Sequence, residues 1–317
     1  MPSDVRRFLR TAVPFTAILI ALYGALHVAA GAFAPRFEDK VVRFEKLKER
    51  GPRVEALFVG NSLCCCADFD ALGMPGYELR HPGSDLFEAA YVVRRALPHL
   101  PNLRAVMIPM GYMALHWDNS LRPEMRAELY TTYEVFEPIG GRRDGMVTGF
   151  FGQTVRPDHF EEVFDRLRGE VEYVRGPQIL DEQSRLAVER HLEMCAVVDA
   201  EHPNVAADAT AELEALAVHL AEEGIELFLL IPTFYHSYGE YLRDEPRGVE
   251  LIDELTATMQ ELEEKHSNVH FLDASRHPVI SRAPANFRSC DHLSRRGARN
   301  FSADLRGAIE RLLQADR

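Results

Sequence analysis

The chain lacks the features of a nucleic-acid binder, a disulfide scaffold or a zinc protein. It carries 36 Lys and Arg against 49 Asp and Glu, a net charge of −13 over 317 residues, with no basic block outside the extreme N-terminus. Binding a phosphate backbone takes clustered positive side chains, so nucleic acid is excluded as a partner. Cysteine is scarce and odd in number, five in all, so at least one thiol has no mate within the chain. Three of the five are consecutive, Cys64, Cys65 and Cys66. Adjacent side chains rarely converge on one ion, so this run is not a zinc-ligand pattern, and nothing in the chain calls for a metal or a cofactor. The run reads instead as small, weakly polar packing residues, with a disulfide to Cys290 left open by geometry. Hydrophobic residues make up 46% of the chain, enough for a sizeable core and too many for global disorder.

One long apolar run is present, from about Ala12 to Ala34, preceded by Arg6, Arg7 and Arg10. It is long enough to cross a bilayer as a helix. The preceding positive charge holds that end in the cytoplasm and sends the remainder outward. A cleaved signal peptide is the rival, with Ala32-Phe33-Ala34 as its cleavage site, but Pro35 follows directly and hinders cleavage. The expectation is therefore a cytoplasmic tip and membrane anchor over 1–35, a charged linker helix over 36–53, and one globular domain over 54–317. The domain then faces the side of the membrane away from the cytoplasm.

Within that domain Val54 to Asp70 reads VEALFVGNSLCCCADFD. The apolar run Val54 to Val59 suits a strand buried on both faces. Gly60 and Asn61 break it, and Ser62 then stands just past the strand end, where open α/β sheets bind ligands. Ser62 as a mere cap of the next helix is the plain alternative.

Further strands are expected at 77–81, 104–109, 225–231 and 269–272. Helices are expected at 85–97, 208–223 (capped by Thr210, stopped by Gly224), 249–265 and 294–314. Residues 116–205 are too long for one crossover and read as an inserted helical cap, with helices near 157–168 and 180–195. Strand–helix alternation implies a three-layer α/β/α fold with a five-stranded parallel sheet in the flavodoxin-like order 2-1-3-4-5. Such a sheet delivers Ser62, Gly83, Tyr112, the Tyr235-His236 segment and His292 to one rim. Acyl transfer needs a nucleophile, a base, an orienting group and oxyanion donors. Ser62, His292, Asp291 and the backbone N–H groups of Ser62 and Gly83 are the candidates. Tyr112 is a candidate substrate contact, and Tyr235, His236 and Tyr238 are candidates for a substrate-contacting wall at the rim, although the aromatics of that loop serve equally well to pack under the insertion.

Two blocks carry a resemblance. Gly60-Asn61-Ser62 resembles the GDS-type block of the SGNH/GDSL hydrolases, and DHLSRRGARNFS from Asp291 to Ser302 resembles their last block. LFVGNS, PNLRAVMIPMGY and IPTFYHSYGEY resemble membrane-anchored or exported SGNH-like proteins of bacteria linked to surface polysaccharides. The resemblance implies a serine-dependent esterase or O-acyltransferase, with Ser62 as nucleophile, His292 as base and Gly83 as oxyanion donor. Its substrate would be an ester, most simply acetyl, of an envelope or extracellular glycan. Two positions differ from the family. The residue three before His292 is Ser289 where the family has Asp, and an aspartate stands at 291 instead. Gly111-Tyr112 occupies the place of the asparagine-bearing block, which leaves Asn61 as the replacement donor. A non-catalytic scaffold or glycan-binding protein of the same fold is the competing expectation. A cytoplasmic flavodoxin-like nucleotide binder is a third, and it requires the N-terminal run to be a core helix.

Overall fold

The computed structural model describes residues 35–121 and 176–315. The apolar run 12–34 and the helix expected near 157–168 lie outside the described residues. Among the described residues no helix is long and apolar enough to cross a membrane.

The strands are β1 (Ala56–Gly60), β2 (Gly76–Arg80), β3 (Ala105–Pro109), β4 (Glu226–Ile231) and β5 (Val269–Asp273). They form a five-stranded sheet in the order β2-β1-β3-β4-β5, with every pairing parallel. Every residue of β1 and of β3 is buried, which is why both read as unbroken apolar runs rather than as an alternation. The polar residues of the inner strands sit at their ends. Glu226 opens β4 and pairs with His270 of β5, Oε2 to Nε2 at 2.8 Å.

Helices flank the sheet. The α-helices, in chain order, are α1 (Pro35–Arg50), α2 (Phe69–Leu72), α3 (Leu86–Ala96), α4 (Pro177–Glu201), α5 (Val205–Glu222), α6 (His236–Asp244), α7 (Pro246–Lys265) and α8 (Arg295–Ala315). α3 packs on β1 and α5, α5 on β4, and α7 on β5. Asp85 caps α3 through a reciprocal box with Glu88. The expected inner face of α8 is buried at Phe301, Leu305 and Ile309.

The sequence expectations differ from the structure in several places. α5 starts at Val205, and Thr210 is not its cap: its hydroxyl donates back to the Ala206 carbonyl at 2.8 Å, one turn inside the helix. Gly224 does stop that helix, with φ of 69°. The charged stretch after Pro35 is a helix, as expected, and it is docked on the domain. Phe44 and Leu47 of α1 are buried, and the Tyr77 hydroxyl of β2 donates to the Arg43 carbonyl at 2.8 Å. Cys64, Cys65 and Cys66 lie in a 3-10 turn, and all five thiols are free, so no disulfide crosses the rim. A short antiparallel hairpin, β6 (Phe287–Ser289) with β7 (His292–Leu293), was not legible as strands at all.

β1 lies between β2 and β3, so the chain leaves it toward one side and later returns on the other. The crevice beyond the carboxyl ends of β1 and β3 is thus the switch point where such sheets bind ligands.

Candidate active site

Ser62 opens a 3-10 turn, Ser62–Cys66, immediately beyond β1. Gly60 turns the chain with φ of 140°, a region that favours glycine, while its carbonyl accepts the His81 N–H at 2.8 Å. Asn61 caps the turn, its Oδ1 accepting the Leu63 N–H at 2.9 Å. The turn is tied to the far end of the chain. The Ser302 hydroxyl of α8 donates to the Cys66 carbonyl at 3.1 Å and accepts the Asp68 N–H at 2.9 Å.

His292 arrives on the β6–β7 hairpin, paired with Ser289 across a turn formed by Cys290 and Asp291. The Tyr235 N–H donates to the Cys290 carbonyl at 2.8 Å and fixes that turn. Ser62 Oγ and His292 Nε2 are 2.6 Å apart, and His292 Nδ1 and Asp291 Oδ1 are 2.7 Å apart. A carboxylate only accepts, so Nδ1 carries the hydrogen and Nε2 is bare toward the Ser62 hydroxyl. The Ser289 hydroxyl lies 2.9 Å from Asp291 Oδ1 and 3.0 Å from His292 Nδ1. Its single hydrogen goes to the carboxylate, so it meets the ring only as an acceptor. Adjacent residues seldom bond side chain to side chain, but the tight hairpin turn folds Asp291 back beside His292. Burial opposes ionisation of Asp291. The charge of His292, the hydrogen bonds from His292 and Ser289, and the charge of His191 outweigh it and hold the carboxyl well below its usual range.

Ser62 faces a cavity of about 120 Å³ lined by residues following β1, β2 and β3, by His191 of α4, by Phe234 and Tyr238, and by Asp291 and His292. Its size is close to that of an engineered protein cavity of about 150 Å³ that holds benzene. Ser62, Gly83 and Asn61 all line it. Among the described residues no acceptor takes the backbone N–H of Ser62 or Gly83, or the Asn61 amide hydrogens, so all three are free to face a developing oxyanion. Gly83 sits at φ of 80°, which a side chain would strain. Its carbonyl is gripped by Asn119 Nδ2 at 2.9 Å and Trp117 Nε1 at 3.2 Å.

Asn119 itself does not line the cavity. It is fully buried, and its other amide hydrogen goes to Glu88 Oε2 at 2.7 Å. Its amide hydrogens thereby tie the Gly83 carbonyl to the first turn of α3.

The structure brings Ser62, Asn61, Gly83, Asp291 and His292 together and leaves three expected contacts outside. Tyr112 is 1% exposed and packs against Phe234 in the core, the two rings tilted at 52°. Tyr235 is 2% exposed and packs edge-on against Phe287, contributing its backbone to the hairpin rather than its ring to the cavity. His236 pairs with Glu240 on α6, Nδ1 to Oε1 at 3.4 Å, away from the lining. Of the expected wall, Tyr238 does line the cavity, together with Trp117, Phe234 and His191. Trp117 had one signal in the sequence, being the chain's only tryptophan. His191 had none, since a histidine on a helix is ordinarily a surface residue.

Comparison with protein-family models, with curated proteins and with solved structures found no match.

Proposed function

We propose that the protein is a serine-dependent esterase or O-acyltransferase of SGNH-hydrolase type. Its substrate is a small acyl ester, most simply an acetyl ester, carried by a cell-envelope or extracellular glycan. One observation carries the reading: the unbroken chain Ser62–His292–Asp291 at the mouth of a small, largely apolar cavity. In the first step His292 Nε2 takes the Ser62 proton as Oγ bonds to the ester carbonyl carbon. The carbonyl oxygen, now negative, meets the N–H groups of Ser62 and Gly83 and the Asn61 amide. Preorganised donors of this kind are each worth about 10²–10³ in rate. The intermediate collapses, the carbon–oxygen bond to the alcohol breaks, and Nε2 returns the proton to that oxygen. Water, or a second hydroxyl, then gives its proton to Nε2 and attacks the acyl-Ser62 ester, which releases the acid or a new ester and restores Ser62.

A fluorophosphonate probe tests the nucleophile. Wild type is expected to form a covalent adduct at Ser62 and Ser62→Ala none. Folded wild-type protein that takes no label and releases no acetate from acetyl esters would leave the non-catalytic glycan-binding reading in its place.

The apolar run 12–34 after three arginines supports an anchor with the domain on the outer face of an inner membrane. Full-length protein is expected to sediment with membranes through an alkaline wash, and removal of residues 1–34 to release it. Recovery of the full-length chain in the soluble fraction would overturn the anchor.

A further inference from the structure

His191 takes no part in the mechanism above, yet it lines the same cavity beside Asp291, His292 and Tyr238. It comes from α4, at the end of the insertion, and is only 9% exposed. Its Nδ1 lies 3.1 Å from the Tyr238 hydroxyl, with the two rings edge to face, while no group among the described residues meets Nε2. Nε2 is not sealed from solvent and opens on the cavity, where a ligand group can meet it.

From these positions we infer that His191 Nε2 binds the alcohol half of the ester, hydrogen-bonding a hydroxyl of a polyol such as a sugar. The assignment rests on the reading of Ser62 as an acyl-transfer nucleophile.

The chemistry places the alcohol here. Nε2 of His292 must pass its proton to the departing alkoxide, so the alcohol oxygen lies within hydrogen-bond reach of His292. The acetylated oxygen of a sugar has further hydroxyls one carbon away, and His191, which lines the cavity with His292 and has Nε2 without a partner among the described residues, can meet one. Of the remaining lining, Leu86, Ile108, Met110, Met113 and Phe234 are apolar and suit the acyl group instead. His191 is also in the right ionic state. Burial pushes its pKa down to about 4, against the opposing pull of Asp291. It is therefore a neutral ring at neutral pH and does not draw Asp291 away from His292. Either tautomer serves, because a hydroxyl both donates and accepts. The helix is tied to α6 rather than resting loosely: the Ser237 hydroxyl donates to Ser184 of α4 at 2.9 Å, and the Tyr235 N–H at the start of α6 donates to the hairpin's Cys290 carbonyl at 2.8 Å.

The test uses His191→Asn and His191→Gln in the full chain. Asparagine keeps a polar atom near Nδ1, toward Tyr238, and glutamine keeps one near Nε2, toward the cavity. For release of acetate from a mono-O-acetylated methyl glucoside, His191→Asn is expected to raise KM about tenfold, the worth of one hydrogen bond. His191→Gln is expected to stay within about threefold of wild type. p-Nitrophenyl acetate has no hydroxyl on its leaving group, and its turnover should move less than about twofold in both variants. Equal losses on both esters, or none on either, would overturn the assignment. Binding of the same acetylated glucoside, measured by calorimetry in the Ser62→Ala background, gives a readout without turnover: weaker with Asn, retained with Gln. If wild type turns over neither ester, the reading of Ser62 fails, while the binding series still decides His191. Absence of binding, or equal binding in both variants, overturns it.

Discussion

Ser62→Ala is expected to lower kcat for acetyl-ester turnover by about 10⁴- to 10⁶-fold, the range for removal of the serine in a triad acting as a unit. The substitution deletes one atom, the oxygen that sits 2.6 Å from the base. That oxygen does not hold the fold. Asn61 caps the turn and Ser302 ties it to α8, so both supports survive. The variant should unfold within about 0.5 kcal/mol of wild type, as surface-lying substitutions do. The residual rate should come from the N–H groups of Ser62 and Gly83 and from the Asn61 amide, which alanine leaves in place. Retention of more than about a tenth of the wild-type kcat, far outside that range, would mean that another group attacks the ester.

Asp291→Asn should cost about 10³- to 10⁴-fold in kcat with little change in KM. The carboxylate oxygen Oδ1 accepts from both His292 Nδ1 and the Ser289 hydroxyl. An asparagine that turns its oxygen to both donors keeps the geometry but loses the charge that stabilises the imidazolium. One that turns its NH2 group instead forces the hydrogen onto Nε2 and removes the base. A variant within tenfold of wild type would show that Ser289, 3.0 Å from Nδ1, orients the ring without help.

The same carboxylate links stability to pH. Its folded pKa lies below the unfolded value of about 3.9. The unfolded chain therefore binds the proton first as pH falls. The stabilisation is complete above that value and is lost as pH drops from it through the folded value. Wild type should lose stability more steeply than Asp291→Asn on acidification below about pH 4, measured by urea denaturation across that range. Parallel slopes would mean that the carboxylate gains nothing from folding.

Parts of this site were legible in the chain because they are local. Five consecutive buried residues in β1 and the Gly60-Asn61 break marked a strand end with Ser62 just beyond it. The Asp291-to-Ser302 block marked a histidine before a long amphipathic helix. The aromatics misled for a physical reason. Tyr112 and Tyr235 follow strand ends, but a side chain there points into the core or into the crevice according to a backbone rotation that composition does not report. Only the folded chain reveals that the Asn119 amide binds the Gly83 carbonyl and Glu88 of α3 instead of lining the cavity.

By itself the chain determined the alternation of strands and helices, the burial of the inner strands and the absence of a basic surface, because periodicity and charge are written residue by residue. The tertiary structure decided which side chains meet. Ser62 and His292 are separated by 230 positions, and their contact depends on the order of the strands and on a hairpin too short to leave a periodic trace. His191 joins them from an inserted helix whose own pattern records only which face is buried. Hydrophobic patterning selects an inside and an outside, and a site requires in addition that distant elements be held at fixed positions, which packing and hydrogen bonds between them supply.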